Sequence, residues 1–175
     1  MSNKVCLITG VGPGTGSALV KKFVDAGYKV AMLARNGERL KELEKTLEGA
    51  HGFVCDVADE AQVHETVATV ILELGYPEIV IHNAVGGGFG DFLAVDAQAL
   101  QNNFQINTMA LLHLGQLLAP HMIERGHGAI LCTGNTSAYR GKANFASFAP
   151  SKAAQRILAE SMARTLGPKG VHVAY

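Results

Sequence analysis

The stretch KVCLITGVGPGTGSALV, Lys4 to Val20, decides the fold. Its first six residues, KVCLIT (4–9), are almost continuously apolar, as a strand covered on both faces must be. Gly10, Gly14 and Gly16 follow, and an amphipathic helical pattern runs over 15–27. A strand that passes through glycines into a helix is where a phosphate-binding turn belongs. Without a Cβ the chain can turn sharply at Gly10, the backbone can approach a pyrophosphate at Gly14, and Gly16 lets helix pack closely on strand. The N–H groups at the helix start then face the anion. The absence of GK[ST] argues against an ATP-type P-loop. A merely flexible turn is the competing reading, and its place in a strand–turn–helix unit favours nucleotide binding.

Outward from this unit the pattern repeats. KVAMLA (29–34), GFVCDV (52–57), EIVIHN (78–83), GAILCT (128–133) and VHVAY (171–175) read as further strands. Helical stretches are expected over 37–48, 59–74, 96–125 and 147–167. Asn36 and Asp96 are suited to N-caps, and Gly27, Gly49, Gly75, Gly126 and Gly167 stand where helix stops belong. Strict alternation of strand and helix implies right-handed crossovers and a parallel sheet. The predicted class is α/β, a doubly wound Rossmann sheet of order 3-2-1-4-5-6. The 96–125 helix is apolar around most of its circumference. Either a second subunit in a homo-oligomer or the monomer's own loops would cover it.

The chain has 175 residues, 48% of them apolar, which suits one domain with one sizeable core. Fifteen lysines and arginines balance fifteen acidic residues. That balance leaves no basic stripe for nucleic acid and no surface for anionic lipid. Cys6, Cys55 and Cys132 lie far apart in apolar runs and are expected as buried thiols in a reducing compartment. The N-terminal MSNKVCLITG is too short an apolar run for a leader or a membrane span, so the expected location is cytoplasmic. Seven scattered histidines, without HExxH or a cysteine partner at ligand spacing, predict no metal site.

The motif T-G-x-x-x-G-x-G, Thr9 to Gly16, resembles the cofactor loop of the short-chain dehydrogenase/reductase family, and the resemblance runs along essentially the whole chain. Asp56-Val57 looks like the family's adenine-contacting pair. In HNAVGGG, Asn83 and Ala84 match the family's N-N-A-G, while Val85 replaces a glycine. Asn107 matches the helix asparagine, and Lys152 the lysine of Y-x-x-x-K. The resemblance implies a nicotinamide dinucleotide held by Gly10, Gly12, Gly14, Thr15, Gly16, Arg35, Asn36, Asp56, Val57, Asn83, Ala84 and Lys152. It also implies a small-molecule carbonyl or alcohol substrate. A fold selective for NAD(H) commonly ends its second strand with a carboxylate, whereas this chain offers Arg35 and Asn36. A guanidinium suits a 2′-phosphate, so NADP(H) is favoured over NAD(H). The alternative is a solvated arginine at the start of a surface helix.

The family's catalytic tyrosine, lysine and serine fall here on Phe148, Lys152 and Asn135. Two of the three groups are therefore replaced, and Phe148 has no proton to give. Lys152 can still hold a ribose, Asn135 can offer an amide N–H₂ to a carbonyl oxygen, and Asn107 can support a water relay. Ser147, Thr136, Tyr139 or a water near Lys152 could replace the missing donor. Family members usually continue with a substrate-covering segment, a helix and a seventh strand, and the expectation is a cofactor domain lacking those parts or a fragment. Two functions follow: an oxidoreductase with an atypical proton route, or a catalytically silent NADP(H) sensor or oligomer partner.

Overall fold

Val5, Cys6, Leu7 and Ile8 have no solvent exposure, and the strand they build, β1 (Val5–Thr9), is the centre of the sheet. In a computed structural model describing residues 4–175, β1 pairs in parallel with β2 (Lys29–Ala34) on one side and β4 (Ile79–His82) on the other. Met1–Asn3 of the N-terminal stretch lie outside the described residues. β3 (Ala50–Val54) flanks β2, while β5 (Gly128–Cys132) and β6 (Val171–Ala174) follow β4, giving the order β3-β2-β1-β4-β5-β6. This is the order and parallel sense that the alternating pattern predicts.

Two cores confirm the double winding. On one face α1 (Thr15–Asp25) and α2 (Gly37–Thr46) bring Val20 and Leu40 onto Cys6, Ile8, Val30 and Met32. On the other, α3 (Glu60–Leu74), α5 (Ala110–Arg125) and α6 (Ala149–Leu166) cover Val5, Leu7, Val80 and Ile130. Side chains of successive strand residues alternate between these faces, so both faces must be apolar.

Several boundaries differ from expectation for identifiable reasons. β3 lies two residues earlier than 52–57, because Gly49 turns at φ +96° and Ala50 already pairs with Val30. Cys55 N–H still donates to the Ala34 carbonyl, after which Asp56 and Val57 leave the sheet. The segment expected as one helix over 96–125 is three pieces. These are α4 (Ala97–Phe104), a π-helical turn (Gln105–Met109) and α5. α6 stops at Leu166 with Gly167 as its C-cap, but at φ −54° a 3-10 turn carries on through Lys169, and Gly170 at φ +84° ends it. Asn36 and Asp96 cap α2 and α4 as expected, accepting from the N–H groups of Arg39 and Gln98.

The chain's own elements cover much of α5. Its buried residues face α3 and α6, and Gly115 lies against Met162. An apolar groove of about 440 Å³ remains between α5 and α6, lined by Leu112, Pro120 and Ile123 among others. Among the described residues, no helix is long and apolar enough to cross a membrane. The three cysteines are free and buried; burial pushes the Cys132 thiol up to about 12, so none is primed to react.

Candidate active site

The turns that leave the carboxyl ends of β1, β2, β3 and β4 surround a cleft of about 460 Å³. In an open parallel sheet this is the crevice in which ligands bind. Its floor is the glycine turn. Gly10 adopts φ +70°, donates its N–H to the Leu33 carbonyl at 2.9 Å, and lies so close to β4 that a Cβ would stand 2.4 Å from Ala84 Cα. Gly12 closes the turn on the Gly10 carbonyl, and its own carbonyl accepts from Ser17 N–H and Oγ. A Cβ on Gly16 would meet the Gly10 carbonyl at 2.6 Å, so helix and strand touch there.

Gly14 differs. It is the N-cap of α1, and an added Cβ would meet nothing within 4 Å because the residue faces the open cleft. No side chain caps α1 and its first turn carries no acidic residue, which leaves the N–H groups of Thr15 and Gly16 aimed outward. Unpaired donors at a helix start, beside an open glycine, fit a pyrophosphate.

The far end of the cleft is basic. Arg35 is exposed, with its guanidinium 4.0 Å from Asp56 Oδ2. Arg39, in the first turn of α2, lines the same wall and is half-buried. Asn36 also lines it, with its side-chain oxygen committed to the α2 cap. Asp56 is turned by its own Ala58 N–H, and buried Val57 and Cys55 form the apolar side on which a flat ring could lie.

Asn83 and Ala84 tie β4 to the glycine turn. Asn83 Nδ2 donates to the Gly10 carbonyl at 2.9 Å, while its oxygen accepts from Thr133 Oγ1 at 2.8 Å. Beneath them His82 is fully buried between Thr9 Oγ1 and the Ile106 carbonyl, each at 2.9 Å. The carbonyl can only accept, so Nε2 carries the proton and Nδ1 accepts from the threonine hydroxyl. Burial holds this imidazole neutral, with its pKa down at about 4.

The catalytic positions lie beside this cleft. Lys152 is buried; its ammonium donates to the Thr133 carbonyl at 2.9 Å and to Gln155 Oε1, and burial lowers its pKa to about 8. Phe148 is buried at the start of α6, its ring 5.8 Å from that of Phe89, which in turn meets Phe145. Asn135 uses its side-chain oxygen to hold Ser137 N–H and Oγ, which leaves the amide N–H₂ without an acceptor among the described residues.

Asn107 lies fully buried in the π-helical turn. Its oxygen accepts from Gly86 N–H, and its N–H₂ donates to the Gly86 carbonyl and to Ser151 Oγ. Both N–H bonds of the amide are thus committed, while Oδ1 accepts a single bond. Ser147 is likewise removed as a donor: its hydroxyl is bound to the Gly88 carbonyl. Tyr139 is exposed, with the Arg156 guanidinium 4.7 Å over its ring.

Sequence reasoning missed Arg39, Gln155 and Tyr175. Arg39 reads as one more surface charge, although its place one turn after Arg35 was a usable signal. Tyr175 accepts the Asn135 N–H at 3.1 Å, a contact that only the pairing of β5 with β6 creates. The scatter of histidines also hid a grouping. Glu60 Oε1 lies 3.8 Å from His64 Nε2 and 3.6 Å from His113 Nδ1, a carboxylate–imidazole grouping joining α3 to α5 with its ligand-type atoms within 4.8 Å of one another.

A family model described as short chain dehydrogenase matches residues 4–175. The chain is 31% identical to the 7alpha-hydroxysteroid dehydrogenase of Escherichia coli K12, over 99% of its own length and 69% of the relative's. It is 30% identical to the D-erythrulose reductase of Gallus gallus, over 95% and 67%. A short-chain dehydrogenase structure from Streptomyces avermitilis superposes with a TM-score of 0.94 at 29% identity, covering 98% of this chain and 64% of that one. A short chain oxidoreductase from Pseudomonas aeruginosa PAO1, described as containing an atypical catalytic center, gives 0.88 at 31% identity, covering 98% and 68%. The chain thus spans about two thirds of the length of these relatives.

Proposed function

The chain belongs to the short-chain dehydrogenase family, and on that premise we propose that it transfers hydride between NADP(H) and a small carbonyl or alcohol by an atypical proton route. The observation that carries this reading is the glycine turn. Gly14 opens the uncapped N-terminus of α1 to the cleft, and the neighbouring walls suit the two ends of a dinucleotide.

When bound, the nicotinamide would supply or accept the hydride. The protein's residues do the rest. Thr15 and Gly16 N–H groups hold the diphosphate, and Val57 and Asp56 receive the adenosine. Arg35, joined by Arg39, faces the 2′-phosphate, which favours NADP(H) over NAD(H). Lys152 holds the ribose, while Asn83 and Ala84 keep β4 against the turn. The free N–H₂ of Asn135 polarises the substrate oxygen. Phe148 closes the space beside it as an apolar wall.

The names of relatives point to secondary alcohols and their ketones, with hydroxysteroid, ketose and polyol frameworks as the first classes to try. The 175 residues act in this reading as one cofactor-binding unit. It works in the cytoplasm and self-associates along the groove between α5 and α6.

The test is a titration of NADPH fluorescence with purified protein, then NADPH oxidation against ketones, aldehydes and quinones. Tight binding with turnover supports the oxidoreductase. Binding without turnover on any of them supports the second reading, a silent NADP(H) sensor, which the burial of Phe148 against Phe89 favours. No binding of either nicotinamide coenzyme defeats both.

A further inference from the structure

We propose that Tyr175, at the end of β6, is the proton donor of the oxidoreductase reaction, acting beside Asn135 in place of the group that Phe148 lacks. The assignment rests on the oxidoreductase reading above. Four features converge on it. Gly134 stands where a side chain would block the phenol: a Cβ there would lie 2.9 Å from Tyr175 Cε1. The ring therefore lies directly on the β5 turn. Its oxygen accepts the Asn135 N–H at 3.1 Å, on the residue whose amide N–H₂ is free for a substrate oxygen. The Lys152 ammonium stands 5.8 Å from the ring centroid. The hydroxyl hydrogen, unlike the oxygen, has no acceptor among the described residues, so it is available to a ligand.

These contacts are the ones an acid needs. An N–H donor at the oxygen and a nearby ammonium both stabilise the phenolate left when the proton goes. Burial raises the pKa of Tyr175 above its ordinary value, and Tyr139 and Cys132 add to the rise; the Asn135 N–H and Arg156 pull the other way. The phenol is thus protonated at neutral pH and has a proton to give.

The step balances. As the substrate's carbonyl carbon accepts hydride, the C=O π pair moves onto oxygen. The Tyr175 O–H bond breaks toward that oxygen, its electron pair stays on the phenolate, and a proton from water restores the phenol. The carbonyl is reduced to the alcohol and the reduced nicotinamide is oxidised. The arrangement also accounts for the replacements at Gly134, Asn135 and Phe148 together, since each either admits the phenol or removes a competitor.

The test pairs kinetics with a readout that needs no turnover. Tyr175→Phe keeps the ring over Gly134 and removes only the hydroxyl. The expected result is a ~10²–10⁴-fold lower kcat, with NADPH affinity and melting temperature near those of the wild type. Adding Phe148→Tyr to that variant is expected to restore part of the loss. Independently, NMR of ring-labelled tyrosine is expected to show the Tyr175 phenol ionising at higher pH in Arg156→Met than in the wild type. An active wild type matched by Tyr175→Phe overturns the assignment and leaves the oxidoreductase reading standing. A wild type that binds NADPH and reduces nothing overturns both. A phenol whose ionisation ignores Arg156→Met overturns the electrostatic setting proposed for it whatever the kinetics show.

Discussion

Asn107 Nδ2 donates to Ser151 Oγ at 2.9 Å, tying the π-helical turn to the first turn of α6 across forty-four residues of chain. Both residues are fully buried. The same amide holds both backbone groups of Gly86, so three segments around the catalytic positions meet in one side chain. Asn107→Ala is expected to cost roughly 2–4 kcal/mol in urea unfolding, because it strands buried partners as well as losing its own bonds. Ser151→Ala should cost about 1 kcal/mol.

Two glycine substitutions should behave differently. Gly10→Ala places a methyl into the β4 backbone at a residue with φ +70°, so thermal melting should fall by several degrees or the protein should fail to fold. Gly14→Ala meets no neighbouring atom and should melt near the wild type. Its NADPH affinity should nonetheless drop about tenfold or more, through obstruction of the phosphate approach. Unchanged NADPH binding in well-folded Gly14→Ala would remove the pyrophosphate from this turn.

Arg35→Asp sets a second carboxylate near Asp56, where the guanidinium now lies at 4.0 Å. NADPH affinity should fall by roughly 10- to 100-fold, from loss of a charge-assisted contact and gain of repulsion. NADH affinity should hold or improve. Isothermal titration with both coenzymes measures the exchange, and Arg39→Ala should move NADPH in the same direction by less.

His82 makes stability depend on acid. Its pKa is about 4 in the fold against an ordinary 6.5, so between those values the unfolded chain binds the additional proton. Stability from this group is therefore complete above pH 6.5 and is lost as pH falls to 4, by roughly 2–4 kcal/mol in total. His82→Asn cannot titrate and should flatten that part of the profile. Denaturant midpoints from pH 4 to 7 test it, and parallel curves for the two proteins would refute the assignment.

Phe148→Tyr with Asn135→Ser places a phenol one helical turn before Lys152 and a hydroxyl on the turn after β5, while Lys152 already stands oriented by Thr133 and Gln155. Carbonyl reduction should rise by about tenfold or more over the wild type. An inert double variant that still binds NADPH would indicate a pocket not shaped for carbonyl reduction.

What the sequence made legible is what is encoded locally. Each strand and helix carries its own apolar period, and Gly10 to Gly16 follow one another along the chain, so the sheet order and the phosphate turn could be read directly. The errors lie where an apolar residue serves something other than the sheet. Cys55 and Val57 look like the end of a strand but wall the cleft beyond β3. The π-helical turn left no periodic trace, because bonds from Asn107 to Gly86 and Ser151 hold it. Tyr175 reads in sequence only as the end of a strand, since its meaning comes from Asn135, forty residues earlier in the turn after the neighbouring strand.

The π-helical turn at Gln105–Met109 has a consequence for how this gene segment can vary. A turn of that kind holds one residue more than an α-helical turn, and each helical residue advances the chain by about 100°. Deleting a single codon there would rewind the turn and rotate all of α5 by that angle. Leu111, Leu114 and Leu118 would swing off the core toward Gln116's solvent side, and Asn107 would leave its three partners. Surface loops tolerate changes of length, but this helix interior has its length set to the residue, and an in-frame deletion within it should be as damaging as loss of the core itself.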